Sequence, residues 1–291
     1  MPTTAQQAPL DRNQPLHIVG AGPSGLACAI VLARGGQKVI VHDRRKGPGG
    51  RFHDDFQGIE NWTSPDDIMR WLADAGIAPT FEHTPVRKGV AFDAWGKAYP
   101  IASDKPLYYL VRRGATDGTL DQGLLRQARD LGVDVRFADP VQEIDAPAVL
   151  AIGPRTADAI PAGYVFETDR ADGQWICFNN ALAPLDYAYL LVTGGRGTVA
   201  SRMFTGFKNQ QRHVARTVAF FEDKVGLRMN TPRPFGGYGN FRLPRTAVQG
   251  GKPVVGEQAG FQDSLAGFGM VYAMRSGVLA ARGLLEGRDY S

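Results

Sequence analysis

The stretch HIVGAGPSGLACAIVLARGGQKVIVHDRRKGPGGR, residues 17–51, decides the fold. It begins with a short run, His17–Val19, that predicts a buried strand, and continues with a loop that fits the pattern G-x-G-x-x-G. A helical segment and a second apolar strand follow, and that strand ends at Asp43. Strand, glycine loop, helix, strand and acid in this order are the context that a dinucleotide-binding βαβ unit requires.

Each part of the glycine loop has a physical role in such a unit. Gly20 permits the tight turn, Gly22 lets the backbone approach a pyrophosphate, and Gly25 lets the helix pack closely on the strand. The first turn of the helix, which contains Pro23 and Ser24, supplies free N–H groups and partial positive charge for phosphates. The loop therefore predicts a phosphate-binding site at the start of this helix.

The residues from Asp43 onward indicate which dinucleotide is bound. A basic residue, Arg44, follows the acid at once, and Gly49-Gly50-Arg51 comes shortly afterwards. Here the sequence resembles the FAD-binding half of the glutathione-reductase-like flavoproteins, in which the acid is followed by a basic residue and often by Gly-Gly-Arg. The resemblance implies that Asp43 holds the adenosine ribose and that Arg44, Gly50 and Arg51 lie near the pyrophosphate or the flavin.

Composition narrows the class of protein. The 291 residues can bury a sizeable core, and the formal charge of +4 suits an anionic cofactor or an acidic redox partner. No dense run of Lys or Arg suggests nucleic-acid binding, and Cys28 and Cys177 form no disulfide framework or metal motif. Residues 1–14 are polar and lack the apolar core of a signal peptide, and no run approaches a membrane span. We therefore expect a disordered tail over residues 1–14, no metal, and a soluble cytoplasmic protein.

The middle of the chain carries weaker cofactor signals. A predicted strand over residues 108–111 ends in Arg112-Arg113, a capping box at Thr119 opens a helix, and a strand follows over 133–137, which Val141 and Ile144 are expected to continue. This order resembles the middle of flavoproteins related to geranylgeranyl reductases and para-hydroxybenzoate hydroxylase. The resemblance implies that Arg113 belongs to the cofactor site and that the backbone near Val141 meets the adenine.

Two later segments resemble the rest of that cofactor site. The apolar strand over residues 148–152 ends in Gly153, where backbone and FAD come close in the family. A second apolar strand ends in Gly256-Glu257, and a glycine-spaced helix start contains Gly267, Gly269 and Met270. The resemblance implies that Glu257 bonds the ribitol or pyrophosphate side and that the helix from Gly267 points its N–H groups at the flavin N1/O2 edge.

The remaining segments predict a cap over the flavin. Ser64 is expected to cap a helix, residues 93–96 to turn a hairpin, and residues 163–203 to form antiparallel strands, with a further hairpin at Asp172-Gly173. The glycine- and aromatic-rich segment 232–241 predicts a loop that either wraps a ligand or crosses the surface. Tyr187 and Tyr189 take the aromatic places of a strand in geranylgeranyl reductases, although Trp and Pro of that strand are missing.

The predicted fold class is α/β, a Rossmann-type FAD-binding domain with an inserted antiparallel β-sheet cap that binds the substrate. The FAD-binding domain is predicted to be discontinuous, over residues 15–60, 105–160 and 245–291, and the cap to comprise residues 61–104 and 161–244. The resemblance covers most of the chain and is strongest at residues 17–51 and 252–278.

The predicted function is that of an FAD-dependent oxidoreductase similar to the geranylgeranyl reductase family. It would transfer a hydride between the flavin and a carbon of a mostly apolar small molecule, for example to reduce a C=C bond. The candidate proton donors are Tyr187, Tyr189, Tyr238 and His53. No second G-x-G-x-x-G is present, so NAD(P)H or reduced ferredoxin would reach the flavin directly or through a partner protein.

Three alternatives stay open from the sequence. The first is a hydroxylase or monooxygenase that activates oxygen on the same fold. The second is an amine-oxidase-like or desaturase-like enzyme, which Gly49-Gly50-Arg51 also fits. The third is a flavoprotein without substrate turnover that serves electron transfer or assembly.

Overall fold

The computed structural model describes residues 11–154, 156–241, 243–263, 267–288 and 290. The strands in this part of the chain are β1 Leu16–Val19, β2 Val39–Asp43, β3 Phe56–Glu60, β4 His83–Val86, β5 Lys88–Phe92, β6 Ala98–Ala102, β7 Tyr108–Arg112, β8 Asp134–Phe137, β9 Ala148–Leu150, β10 Ile160–Glu167, β11 Gly173–Cys177, β12 Ala188–Thr193, β13 Arg196–Met203, β14 Asn230–Gly236, β15 Val248–Gln249 and β16 Lys252–Pro253. The helices are α1 Pro23–Arg34, α2 Ile68–Asp74, α3 Leu120–Asp130, α4 Gln210–Val225 and α5 Met270–Glu286. Most of the predicted tail over residues 1–14 lies outside the described residues.

The nucleotide-binding module is built on a parallel sheet with strand order β8-β2-β1-β9. Ile18 of β1 pairs with Val41 of β2, and both side chains are fully buried because helices cover the sheet. Helix α1 connects these two strands, as the sequence predicts. The βαβ unit at residues 17–43 is therefore confirmed.

Helix α1 is buried along most of its length and packs against α5. Its residues 24–32 are all buried, and they join one apolar core with α2, α3 and α5. The close approach of α1 and α5 depends on Gly277, since a Cβ there would overlap the carbonyl oxygen of Ser24. The last segment of the chain thus locks the start of α1, which carries the glycine loop.

The second module is a seven-stranded sheet with the order β14-β10-β13-β12-β11-β5-β6. Strands β12 and β13 form a hairpin through Gly194-Gly195, whose φ angles of 57° and 74° suit a two-residue type I′ turn. Helix α4 covers one face of this sheet with Phe221, and Thr217 bonds Ser201 of β13 at 2.9 Å. All neighbouring strands of this sheet pair antiparallel except β5 and β11, which pair in parallel. A largely antiparallel sheet beside the parallel sheet confirms the predicted α/β class.

The hairpin predicted at Asp172-Gly173 is wrong. Strand β10 pairs with β13 and β14, whereas β11 pairs with β12 and β5, so these consecutive strands are not neighbours. The side chain of Asp172 accepts hydrogen bonds from the Thr193 hydroxyl at 3.0 Å and the Gly194 amide at 2.9 Å. It therefore fastens the neighbouring hairpin turn and does not make one of its own.

Two other segments differ from their predictions. Residues 232–236 of the predicted loop belong to edge strand β14, Asn230–Gly236, where Pro232 and Pro234 are tolerated because an edge strand has one unpaired side. Strand β8 ends at Phe137 and does not continue to Val141. Ala138 takes a positive φ of 55° there, and its amide bonds the Arg45 carbonyl, so the chain turns back over the end of β2.

Helix α2 begins later than predicted and packs elsewhere. Asp67 caps it, and not Ser64, because the Asp67 carboxylate accepts hydrogen bonds from the amides of Met69 and Arg70. Ile68 and Leu72 lie in the core shared with α1. The helix therefore packs with the nucleotide-binding module, although residues 61–104 are predicted to belong to the cap.

Strands β5 and β6 form the predicted hairpin, and β3, β7 and β4 form a small sheet between the two modules. The Phe56 amide of β3 donates to the Thr198 hydroxyl of β13 at 2.9 Å in a buried contact, which ties this small sheet to the seven-stranded one. None of the described helices has the length and apolar character that crossing a membrane requires.

Candidate functional site

One cavity of about 1010 Å³ lies between the two modules. It begins at the glycine loop and Asp43 and reaches the inner face of the seven-stranded sheet at Ile176 and Leu191. Except for the buried Gly25, every residue predicted to bind the cofactor lines it: Gly20, Gly22, Pro23, Ser24, Asp43, Arg44, Gly50, Arg51, Arg113, Val141, Gly153, Glu257, Gly267, Gly269 and Met270. Their role in binding a cofactor stays a prediction.

The three glycines of the loop face different surroundings. A Cβ on Gly20, whose φ is 118°, would overlap the carbonyl oxygen of Ala151, and a Cβ on Gly25 would overlap that of Gly20. A Cβ on Gly22 would meet no described heavy atom within 4 Å. Gly20 and Gly25 are thus required by packing inside the protein, and Gly22 leaves open space at the start of α1.

The start of α1 has donors that face this space. Gly22 is its N-cap, and no side chain in the described part of the chain hydrogen-bonds there as a cap. Free N–H groups at a helix N-terminus attract anions. Asp43 fixes the loop beside them, because its carboxylate accepts hydrogen bonds from the amides of Ala21 and Arg45, both at 2.8 Å.

Arg51 and Glu257 connect two distant segments across the cavity. Arg51 Nη2 donates to the Tyr238 carbonyl at 3.0 Å, and Nη1 lies 3.6 Å from Glu257 Oε2. Glu257 Oε1 accepts from the Asn240 amide at 2.7 Å. Burial raises the pKa of Glu257, and the nearby guanidinium opposes this shift. Glu257 is therefore part of the cavity wall and is not a surface glutamate at a strand end.

Arg113 also belongs to the wall and has a buried acidic partner. Its Nε and Nη2 bond the two carboxylate oxygens of Asp121, each at 2.9 Å, and Asp121 also accepts from the Gly114 amide. The guanidinium lies 3.9 Å from the ring centre of Phe52. This bidentate pair fixes the chain where β7 leads into α3.

The candidate proton donors are not all in the cavity. Tyr187, Tyr189 and Tyr238 line it. His53 is exposed and is not a lining residue, and its ring centre lies 6.4 Å from that of Phe235. Burial raises the pKa of Tyr187 to about 12, and burial also raises the pKa of Tyr189. Both phenols are therefore protonated at neutral pH and can donate a hydrogen bond or a proton.

Asp55 is a cavity residue that no sequence pattern singles out. It is 2% exposed, and its carboxylate accepts from the His53 amide at 2.9 Å and from Gln57 Nε2 at 2.8 Å. Burial raises its pKa against these hydrogen bonds. Nothing in its local sequence distinguishes it from Asp54, because its burial results from the meeting of the two modules.

The second group that sequence reasoning missed is Arg202, which reaches the cavity from β13. It pairs with Asp186, and its guanidinium lies 4.6 Å from the ring centre of Tyr187. Aromatic side chains dominate the remaining wall near α5, where Trp62 packs edge-on against Phe268 with ring centres 4.8 Å apart. This part of the cavity combines apolar surface with a few polar groups, as ligand sites do.

Comparison with known proteins agrees with this architecture. Residues 18–74 match the family model of the NAD(P)-binding Rossmann-like domain. No curated protein matches the sequence. Many solved structures have a similar fold.

Three of these structures belong to proteins whose names describe different reactions. A geranylgeranyl bacteriochlorophyll reductase-like protein from Thermoplasma acidophilum is 17% identical over 94% of this chain and 78% of its own, with a TM-score of 0.74. The myxobacterial chondrochloren halogenase, an FAD-dependent halogenase, is 17% identical over 93% and 74%, with a TM-score of 0.69. The p-nitrophenol 4-monooxygenase of Pseudomonas putida is 16% identical over 94% and 79%, with a TM-score of 0.65. At these identities the likeness shows the fold alone, which the chain shares with these three proteins.

Proposed function

We propose that this protein is an FAD-dependent oxidoreductase that transfers a hydride between the flavin and a carbon of a mostly apolar small molecule, as in the reduction of a C=C bond. The observation that carries the proposal is the continuous cavity. It extends from the glycine loop at the start of α1 to an aromatic chamber at the seven-stranded sheet. Such a cavity has room for a dinucleotide at one end and a second molecule at the other.

The residues present fit FAD. The open space at Gly22 and the uncapped start of α1 suit a pyrophosphate, and Asp43, the last residue of β2, would accept hydrogen bonds from the ribose hydroxyls. The volume of about 1010 Å³ is at the top of the range of about 300–1,000 Å³ for ligand pockets. The N-terminus of α5 opens onto the same cavity through Gly269 and Met270. A bound FAD would supply the hydride chemistry.

The protein side chains would then orient the substrate and move protons. Aromatic residues of the chamber exclude water and pack against apolar surface. Tyr187 and Tyr189 hold protons at raised pKa values, and burial also raises the pKa of Asp55, so these three groups on the cavity wall are candidates to protonate a substrate carbon or oxygen. Tyr238 is a further donor at the edge of the cavity. His53 is the weakest candidate because it lies outside the lining.

One alternative has a specific observation in its favour. A halogenase and a monooxygenase are among the similar structures, and both names describe oxidative chemistry on this fold. An enzyme that activates oxygen is therefore the second candidate function. It would use the same cofactor site, but oxygen and not an alkene would reoxidise the reduced flavin.

NAD(P)H or reduced ferredoxin would reduce the flavin, the latter as a redox partner protein. The cofactor domain would comprise residues 15–60, 105–160 and 245–291, with α2 packed on it, and the remaining segments would cap the substrate. A cytoplasmic location suits such an enzyme.

Stopped-flow spectroscopy of the FAD-loaded protein tests the proposal. The flavin absorbance is followed on mixing with NADPH, NADH or reduced ferredoxin, and then on mixing the reduced protein with candidate alkenes or with air. A reductase reoxidises quickly with its alkene and slowly with oxygen. Rapid oxygen consumption that depends on an organic substrate would favour the monooxygenase, and a protein that takes up no FAD would contradict both.

A further inference from the structure

Three loops meet at one end of the seven-stranded sheet. They connect β5 to β6 over residues 93–97, β11 to β12 over residues 178–187, and β13 to α4 over residues 204–209. Strand β5 runs parallel to β11 and antiparallel to β6, and β12 runs antiparallel to both β11 and β13. The strand termini that carry the three loops therefore all lie at the same end of the sheet.

Hydrogen bonds join these loops to one another. Asn179 Nδ2 donates to the Ala94 carbonyl at 2.9 Å, which fixes the second loop beside the first. The Phe204 amide donates to the Pro184 carbonyl at 3.1 Å, which fixes the third loop beside the second. The three loops thus form one continuous surface, which we call the loop surface.

Each of the three loops exposes a large apolar side chain. Trp95 is 89% exposed, Leu185 is 69% exposed and Phe178 is 54% exposed, and Phe207 of the third loop is also exposed. None of these four is a lining residue of the cavity. A single exposed apolar residue is ordinary, but four on adjoining loops mark a site of interaction.

The charges on and beside the loop surface are mainly positive. Two lysines lie in the loops, two arginines follow in the first half of α4, and all four are exposed: Lys97, Lys208, Arg212 and Arg216. The ion pairs found among the described residues involve none of these four side chains. Their charges are therefore available to an anionic partner.

The acidic residues of this region do not balance these cations. The side chain of Asp186 is 3% exposed, and Asp93 accepts hydrogen bonds from the backbone amides of Trp95 and Lys97. Lys224, whose side chain approaches Gly96, is paired with Asp223 at 3.0 Å and adds no net charge. The loop surface is thus both apolar and cationic.

We infer that the loop surface binds an anionic lipid bilayer, with Trp95, Phe178 and Leu185 at the apolar interface and the four cations against the headgroups. Tryptophan favours the interface between membrane and water, and Lys and Arg are attracted to anionic headgroups. The two properties of the surface match the two layers that such a bilayer presents. The binding goes beyond the proposed reaction and does not require FAD.

The position of the loop surface suits an apolar substrate. Phe178 packs against Tyr187, which lines the cavity, with ring centres 6.1 Å apart. A mostly apolar small molecule partitions into a bilayer. Attachment at this surface would therefore hold the cavity close to the phase in which such a substrate is concentrated.

Sedimentation of the whole chain with vesicles tests the apolar contribution. We expect binding to vesicles of equal parts phosphatidylcholine and phosphatidylglycerol, and weaker binding to phosphatidylcholine alone. Trp95→Ala and Leu185→Asn are each expected to weaken binding about tenfold. Both variants should fold, because these side chains are exposed and asparagine tolerates the φ of 59° at position 185. Leu279→Asn, at an exposed position on α5, is the matched control and should bind as the wild type does.

A pair of double variants tests the charges. Lys97→Gln with Lys208→Gln is expected to weaken binding to the mixed vesicles roughly twenty-five-fold. Lys38→Gln with Lys105→Gln makes the same change in net charge at exposed positions outside the loop surface, and is expected to stay within about twofold of the wild type. Added salt is expected to weaken the binding of the wild type.

Bromine-labelled lipids report whether Trp95 enters the bilayer, since they quench tryptophan fluorescence at short range. We expect quenching in the wild type and little in Trp95→Ala. A wild type that does not bind the mixed vesicles, or controls that lose as much binding as the loop variants, would overturn the inference. A dimer that Trp95→Ala separates in analytical ultracentrifugation would assign the surface to a second copy and also overturn it.

The FAD content of each variant separates this inference from the proposed function. None of the substituted residues lines the cavity, so every variant is expected to bind FAD as the wild type does. A protein that binds vesicles but takes up no FAD would contradict the proposed function and leave the bilayer site standing. FAD binding without vesicle binding would do the reverse.

Discussion

Gly22 is the residue whose substitution separates binding from folding most clearly. Its backbone, at φ −80° and ψ 178°, is open to any residue, and a Cβ there meets no described atom within 4 Å. We expect Gly22→Val to fold with near wild-type stability and to lose FAD binding, because the side chain fills the space at the start of α1. Fluorescence titration with FAD and thermal unfolding by circular dichroism measure the two effects.

Gly25 supplies the contrast. A Cβ there would overlap the carbonyl oxygen of Gly20, so Gly25→Val is expected to damage folding itself. If Gly22→Val bound FAD as tightly as the wild type, the glycine loop would not be the phosphate site.

Glu257 tests the other end of the cofactor site. Glu257→Gln keeps an acceptor for the Asn240 amide and is expected to weaken FAD binding only modestly. Glu257→Ala removes the acceptor that FAD hydroxyls are expected to use, and also the partner of Arg51. Losing a charge-assisted bond to FAD costs about 1.5–3 kcal/mol, roughly ten- to a hundredfold in affinity. FAD titration of the two apo variants checks this, and wild-type affinity in both would remove Glu257 from the site.

Asp55 makes stability depend on pH. Because burial raises its pKa in the folded state, its contribution is fully present below the unfolded pKa of about 3.9 and is lost as pH rises through the folded pKa. Each unit of that rise costs about 1.4 kcal/mol at neutral pH. Asp55→Asn cannot ionise. We therefore expect the free energy of unfolding of Asp55→Asn minus that of the wild type, measured in urea, to be more positive at pH 8 than at pH 4. An equal difference at both pH values would mean that Asp55 is not desolvated.

At the scale of single elements, α2 offers a matched pair of variants. Asp67 caps the helix and also accepts a hydrogen bond from the Tyr109 hydroxyl at 2.6 Å, whereas Ser64 lies outside the helix. Asp67→Ala is expected to lose about 1–2 kcal/mol in the free energy of unfolding, and Ser64→Ala less than about 0.5 kcal/mol. Urea unfolding of both variants decides this. Equal losses would restore Ser64 as the predicted cap.

Elements fixed by neighbouring residues could be predicted from the sequence. The βαβ unit, α3 with its Thr119 cap and the hairpin of β5 and β6 each depend on local periodicity, capping and turn residues. The position of β10 could not be predicted, because it pairs with β13 and β14, which come later in the chain. Asp172 shows the difficulty. Aspartate before glycine favours a turn at that position, but the Asp172 side chain accepts hydrogen bonds from Thr193 and Gly194 in the turn between β12 and β13.

At the scale of the whole molecule, the two modules create the site together. The sequence predicts the cofactor end, since each of its loops carries a recognisable pattern. Asp55 and Arg202, which line the cavity where the two modules meet, have no such pattern, because a buried charge becomes evident only when β3, β13 and the start of α5 come together. Tyr189 of β12 and Tyr187 just before it lie beside these groups, so aromatic residues in and next to a strand are a useful but incomplete indication.

The central claim is that this cavity binds FAD, and reconstitution tests it most directly. The purified protein is incubated with excess FAD, NAD⁺ or NADP⁺ and passed over a desalting column, and the retained nucleotide is identified after denaturation. We predict about one FAD per chain with the absorption spectrum of oxidised flavin, none in Gly22→Val, and no retained nicotinamide nucleotide. Retention of NAD⁺ or NADP⁺ alone, or of no nucleotide, would contradict the account.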